Sequence, residues 1–273
     1  MKQILALLRA LWKYILSSLV FLVVIGLWLT YDILHGVRIM PFLWILLAAW
    51  LIINAAMIVL LIFEFKKEAP LNEILAENGY CELYLEKFHE VYPNPNKNTA
   101  LRLIGILTTM KHYAEAEQML QQIQPFGLND DQKMEYHTCR MDLFLSRHRF
   151  DAAIAELQSC RRFMDIYANA HPQRGIVYGL NAAVILAAAN DYEGSEHYLQ
   201  AAEHGIGQMK GISPCMAQIA KVMQLSLLGF TDRAGQLAEQ TRLAIMEDPV
   251  LRADWQKQHF LQKLEDARTY IRE

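Results

Sequence analysis

Two kinds of hydrophobic pattern divide the chain near residue 64. Ahead of that point apolar residues run almost without interruption, and beyond it they recur at three- and four-residue spacing on a polar chain. From Tyr14 to Leu29 only Ser17, Ser18 and Gly26 interrupt the Leu, Val, Ile and Phe, and Trp12, Trp28 and Tyr31 stand near the two ends. This predicts a membrane-spanning helix over about residues 12–31 with aromatic interface anchors. A second apolar run, from Pro41 to Phe63 and bordered by Trp44 and Glu64, is roughly 34 Å long as a helix with a rise of about 1.5 Å per residue, enough for a second span over 41–63. Residues 1–64 thus read as a two-helix transmembrane hairpin and 65–69 as a short juxtamembrane linker.

A cleavable signal peptide is the competing reading of the first run, because Lys2, Arg9 and Lys13 precede it. No small-x-small site follows Leu29, and the second run arrives too soon for a mature domain between them. Lys2, Arg9, Lys13, Lys66 and Lys67 flank the outer ends of the spans, whereas Arg38 is alone in the connecting loop. That distribution predicts an integral membrane protein with both termini in the cytoplasm. Asn54, near the middle of the second run, calls for a hydrogen-bond partner, either a local backbone carbonyl or first-span group or a role in oligomerisation or a substrate path.

Beyond Lys67 the spacing predicts helices only. Breaks are expected at Pro70, Pro93 with Pro95, Pro125 to Gly127, Pro172, Gly211 to Pro214 and Pro249. One phrase recurs. Tyr80, Tyr113, Phe150, Tyr192 and Phe230 each follow a polar or glycine-containing turn, and in the last four cases a small residue comes three or four positions later. Their intervals of 33, 37, 42 and 38 residues are those of helical-hairpin solenoids.

At these residues the chain resembles the tetratricopeptide repeat family, and specifically its membrane-anchored bacterial type, over residues 70–247. The resemblance implies an all-α fold: a transmembrane hairpin followed by a repeat α-solenoid. In the repeat at Tyr113 the core positions fall on Ala100, Leu103, Ile104 and Leu107, then Ala116, Leu120 and Ile123. In the repeat at Tyr192 they fall on Gly179, Ala182, Ala183 and Leu186, then Ser195, Leu199 and Ala202, small residues that let two helices approach closely. Leu83 departs from the pattern after Tyr80, and the repeat at Phe230 fits with a one-residue shift. Asp248-Pro249 reads as an N-cap followed by proline in the first helical position, opening a helix over 248–273 that caps the stack.

By the same resemblance, first helices line a concave groove for protein segments. The candidate groove positions are Asn98, Leu101, Gly105, Thr108 and Thr109 in one repeat and Val177, Leu180, Val184 and Ala187 in another. They lack the lysines with which family members clamp a terminal carboxylate. The expected function is a membrane-tethered scaffold or adaptor for an unidentified protein partner. A self-associating structural protein, hence a homo-oligomer, stays open, as does an enzyme with a site hidden around residues 150–192.

Charge narrows the partners. Residues 1–64 carry four basic and two acidic residues, and the remainder carries 22 basic and 27 acidic ones. A net-acidic soluble part argues against nucleic acid. Arg140, Arg147, Arg149, Arg161 and Arg162 form a local basic group, read as a solvated face or a docking site for anions. Cys81, Cys139, Cys160 and Cys215 are far apart and outside any C-x-x-C pair, as expected of buried free thiols. Glu193, His197 and His204 share a helix face, but no third convergent protein ligand accompanies the two histidines as a catalytic zinc requires. Gly205-Ile206-Gly207 with Gly211 follows a helix and lacks the P-loop ending, so it reads as an inter-repeat loop. No catalytic constellation, cofactor motif or metal site is expected.

Overall fold

The computed structural model describes residues 40–270 and, ahead of them, Val23, Ile25 to Trp28, Thr30, Tyr31 and Leu34. All regular secondary structure among the described residues is helical. Two compact units divide the chain between Glu73 and Ile74.

The first unit contains most of α1 (Met40–Asn78). Leu51, Ile52, Ile53, Met57 and Ile62 are all exposed and lie at widely spaced angles about the axis, so α1 presents apolar side chains around its circumference. Its Leu47–Asn78 stretch is long and apolar enough to cross a membrane, the only such helix among the described residues. Asn54 Nδ2 donates to the Trp50 carbonyl at 2.8 Å, a local bond one turn back that meets the demand of an amide in an apolar segment. The expected first span, residues 12–31, lies outside the described residues apart from the few helical positions from Val23 to Tyr31, and so do Lys2, Arg9, Lys13 and Arg38.

The break expected at Pro70 is absent. Residues 65–69 are helical, and α1 runs through Pro70 to Asn78. Proline removes the bond from its own nitrogen to the Lys66 carbonyl and crowds that carbonyl with its ring, a local cost the helix absorbs. The eight residues that follow, rich in Leu, Glu and Ala, propagate a helix that is already nucleated.

The second unit begins with α2 (Glu82–Val91) and continues through α3 (Lys97–Thr109), α4 (Tyr113–Gln122), α5 (Asp130–Ser146), α6 (Phe150–Ala170), α7 (Pro172–Ala188), α8 (Tyr192–Gly207), α9 (Cys215–Leu227), α10 (Thr231–Glu247) and α11 (Asp254–Arg268). Caps fix several starts. Asn96 accepts from the Thr99 amide, Asn129 and Gln132 form a reciprocal capping box, Pro172 occupies the first turn of α7, and Asp191 accepts from the Gly194 amide. Gly205 and Gly207, expected in a loop, belong to α8, and Gly205 lies where a Cβ would meet Ile176 at 3.2 Å.

One turn is built four times. Lys111, His148, Asn190 and Gly229 all have φ between 54° and 79°, and they lie 37, 42 and 39 residues apart. After each, an amide reaches back to close the preceding helix: His112 to Leu107, Arg149 to Phe144, Asp191 to Leu186 and Phe230 to Leu225, at 2.8–2.9 Å. Five residues after each left-handed position comes a small residue, Ala116, Ala153, Ser195 or Ala234, and all four are buried. Counted from the left-handed residue the fourth turn is in register with the rest. The one-residue shift at Phe230 arises because this aromatic sits one position earlier, as the α10 N-cap, whereas Tyr113, Phe150 and Tyr192 each begin a helix.

These turns pair α3 with α4, α5 with α6, α7 with α8 and α9 with α10, and the first members pack in succession, α3 on α5, α5 on α7, α7 on α9. The small residues predicted for the Tyr192 repeat lie in a close helix–helix contact: Gly179, Ala182, Ala183, Ser195 and Ala202 are buried, and a Cβ on Gly179 would stand 3.4 Å from the Ala202 methyl.

Candidate binding site on the inner helix layer

The helix expected at Asp248-Pro249 starts later, at Asp254. Asp248 ends α10, and its carboxylate accepts from Ser213 Oγ at 2.6 Å and from the Val250 amide at 2.8 Å. With those oxygens engaged in a turn and a cross-link to the loop before α9, Asp248 does not cap the next helix, and α11 begins at Asp254.

α11 packs on α9 and α10 through buried Leu264 and Ala267, which join Ile219, Val222, Ala238 and Ile245 in one core cluster. Its remaining contacts follow the row of turns. Trp255 covers Gly79, whose Cβ would clash with the indole at 2.6 Å, and its Nε1 donates to the Ala76 carbonyl at 3.3 Å. Asp266 binds Lys111 Nζ at 2.9 Å. Tyr270 is buried, donates to the Leu145 carbonyl at 2.9 Å and packs its ring on His148 at 4.7 Å and Phe150 at 5.8 Å. Rather than only closing one end of the stack, α11 and the Tyr270 that follows it reach in order Gly79, itself left-handed with φ 72°, and the turns at Lys111 and His148.

Between α11 and the first helices of the pairs lies a cavity of about 580 Å³. Thr108 and Thr109 of α3, Val177, Leu180 and Val184 of α7 and Ile219 and Met223 of α9 line it, with Phe260 and Tyr270 across from them. The other four predicted groove positions, Asn98, Leu101, Gly105 and Ala187, do not line it, and Ala187 is fully buried. Asn98 is exposed and accepts from Gln132 Nε2 at 2.7 Å, joining α3 to α5. Leu101 is fully buried, and its carbonyl receives the Cys139 thiol. Arg102 of α3 donates to Tyr84 of α2 at 3.0 Å, and the α3 residues that do line the cavity, Thr108 and Thr109, lie at its C-terminal end. Thr108 is itself 4% exposed and returns its hydroxyl proton to the Ile104 carbonyl. Sequence reasoning missed Asn181, His259, Lys263 and Asp266, which also line the cavity. For His259, Lys263 and Asp266 the signal was the apolar spacing of the last segment, which shows that a helix buries one face but not against which surface.

The walls carry little unbalanced charge. Lys111 and Asp266 neutralise each other, leaving Asp142 and Lys263 as one charge of each sign. Burial, reinforced by Lys263, pushes the His259 imidazole down to about 4, so it is neutral at pH 7. Burial also raises the Tyr270 and Tyr113 phenols above their ordinary range.

The other candidate clusters resolve into internal ion pairs. Of the basic group, Arg140 pairs with Glu156 at 3.1 Å, Arg147 and Arg149 both bind Glu117, and Arg161 donates to Tyr198 at 3.0 Å beside Asp165. Glu193, His197 and His204 do not converge. Among the described residues the grouping with metal-ligand geometry is instead His137, Glu156 and Cys160. There Glu156 is held by His137 Nδ1 at 2.6 Å as well as by Arg140, and burial raises the Cys160 thiol to about 12, which opposes thiolate ligation. The four cysteines are free thiols, Cys160 and Cys215 buried and Cys81 and Cys139 partly so.

Compared with known protein families, with curated proteins and with solved structures, the chain matches none.

Proposed function

We propose that the chain is a membrane-tethered adaptor in which two N-terminal spans, with both ends cytoplasmic, carry a tetratricopeptide-like α-solenoid whose inner layer receives an amphipathic helical segment of a protein partner. The observation that carries this reading is α11 itself. A helix of this chain is seated against α9 and faces α3, α5 and α7 across a cavity, which gives the inner layer the shape and chemistry for a helix in a groove. The four equal turns and the succession α3, α5, α7, α9 support the repeat assignment. Thr109, Val177, Leu180 and Val184 supply the mixed small and apolar lining such a segment would meet.

The partner segment then competes with α11. Tyr270→Ala removes the anchor at Leu145, His148 and Phe150 and should loosen the end of α11. A photocrosslinking residue at half-exposed Val177, in the full chain in native membranes, should capture more partner in Tyr270→Ala than in the parent. Thr109→Glu should reduce that capture without changing thermal unfolding, whereas buried Thr108 is unsuitable for such a test. Capture that ignores both substitutions would sink the groove reading, and capture of a second copy of the chain would replace the adaptor by a self-associating protein.

A further inference from the structure

The cavity that persists with α11 in place asks for something smaller than a polypeptide. Its volume falls within the roughly 300–1,000 Å³ of small-molecule sites. Leu145, Leu180, Val184, Ile219, Met223 and Phe260 make its walls largely apolar, and the two methionines on α9, Met216 and Met223, add polarizable side chains that adapt to irregular shapes.

One wall residue breaks the apolar surface in a specific way. Asn181, on α7 among these residues, is 9% exposed, and its Nδ2 is buried with no hydrogen-bond acceptor among the described residues. A buried amide donor left without an acceptor keeps its desolvation penalty uncompensated, and an acceptor brought in by a ligand removes that penalty. Elsewhere in the unit Ser195 donates to the Ala183 carbonyl and accepts from Gln224, and Thr108 donates to Ile104, while Gln218, whose buried Oε1 also has no partner among the described residues, does not line the cavity. Asn181 is thus the exception at a cavity wall, where its own protein supplies nothing for it to bind.

The charge around the cavity restricts the ligand. Lys111 is held by Asp266, and Asp142 and Lys263 add one charge of each sign. The acidic and basic side chains of these walls therefore sum to zero, which favours an uncharged ligand over a cation or an anion. We propose that the cavity under α11 binds a small uncharged, mainly apolar molecule carrying a carbonyl acceptor, oriented by a hydrogen bond from the Asn181 amide. This goes beyond the adaptor reading and does not depend on it, because the cavity exists with α11 seated and with no partner segment in the groove.

The test uses the detergent-solubilised full chain and a photoreactive probe, the methyl ester of a medium-chain fatty acid bearing an alkyl diazirine, with adducts mapped by mass spectrometry after digestion. Labelling of the apolar α1 stretch is background and serves as the internal standard. The expected result is additional labelling of α9 and of the Phe260 segment, competed by excess unlabelled methyl laurate and reduced about ten-fold by Asn181→Leu, which keeps the side-chain shape and removes the donor. Val177→Trp, a substitution at a half-exposed wall position, should block the cavity and reduce labelling similarly. It keeps the test decisive if the Asn181 variant unfolds. The corresponding free acid should label the cavity less than the ester. Adducts confined to α1, cavity adducts that survive both substitutions, or stronger labelling by the acid would each overturn the proposal.

Discussion

The α3–α4 and α7–α8 hairpins carry the same turn and the same small residue five positions after it, yet they bury very different surfaces. In α7 every residue from Tyr178 to Ala188 is buried, because the helix is enclosed by its partners α6 and α8 and by α5 and α9 in the inner layer. In α3 burial is restricted to six residues, since α5 is its only inner-layer neighbour. The repeated phrase specifies the hairpin, but the position in the stack determines how tightly it must pack. The two equivalent small residues show this. Ala116 in α4 is a plain methyl in the core, whereas Ser195 in α8 bridges the Ala183 carbonyl and Gln224 and so ties α8 to both α7 and α9.

The sharpest way to break the comparison is through the glycines. Gly179 in α7 faces the Ala202 methyl at 3.4 Å, while nothing lies within 4 Å of the position a Cβ on Gly105 in α3 would take. Gly179→Leu should destabilise the unit by about 1–3 kcal/mol through overpacking. Gly105→Ala should stabilise it by about 0.5–1 kcal/mol through the lower backbone entropy of the unfolded chain. Denaturant unfolding of the two variants measures both. Opposite signs are the signature of unequal crowding, and two destabilisations would mean that α3 is as enclosed as α7.

This contrast also explains what was legible in the residues alone. Each repeated turn is a local device in which a left-handed residue, a back-reaching amide and a small residue act within a few positions, so Tyr113, Phe150 and Tyr192 could be assigned to helix starts without knowing their neighbours. Leu101 and Thr108 could not be sorted from Thr109 that way, because whether one face of α3 is groove or core depends on where α2 and α5 cross it. Asp248 and Pro70 failed for related reasons. A capping residue was already engaged by Ser213, 35 positions away, and a proline was carried by a helix that continues on both sides. The face that α11 buries, and hence the cavity and Asn181, follows from contacts across most of the unit and has no local signature.

Electrostatics separates the two hairpins in a second way. Glu117 of α4 accepts from Arg149 Nη1 at 2.7 Å and also binds Arg147, tying α4 to the turn between α5 and α6. The hydrogen bond from Arg149, with the charge of both guanidiniums, holds the Glu117 carboxyl below its ordinary range. A carboxyl lowered on folding contributes stability that is fully present above its unfolded value, near 4.3, and is lost as pH falls through the folded value. Amide protection in α4 should therefore weaken below about pH 4 ahead of that in α8, as hydrogen exchange would show. Glu117→Gln should cost about 0.2–1 kcal/mol at pH 7 and reduce that acid sensitivity. Identical acid profiles for α4 and α8 would remove this distinction.

The smallest expected difference lies in the turns. Lys111 closes α3 and Asn190 closes α7, both in the left-handed region with φ of 64° and 60°. For an ordinary L-residue that conformation costs roughly 1–2 kcal/mol, whereas asparagine visits it with local side-chain support. Lysine persists at position 111 while its ammonium binds Asp266 of α11, so the strain and the ion pair act on the same residue. A double-mutant cycle separates them. In an Asp266→Asn background, where the pair is already weakened, Lys111→Gly should stabilise by about 0.5 kcal/mol, since relief of the left-handed strain exceeds the roughly 0.5–1 kcal/mol of added glycine entropy. In the parent chain the same substitution should be near neutral, because the lost ion pair offsets that gain. Asn190→Gly should be near neutral in both backgrounds. If Lys111→Gly instead destabilises equally with and without the Asp266 carboxylate, the link between α11 and the α3–α4 turn rests on packing around Trp255 and Tyr270 and not on the charge at position 111.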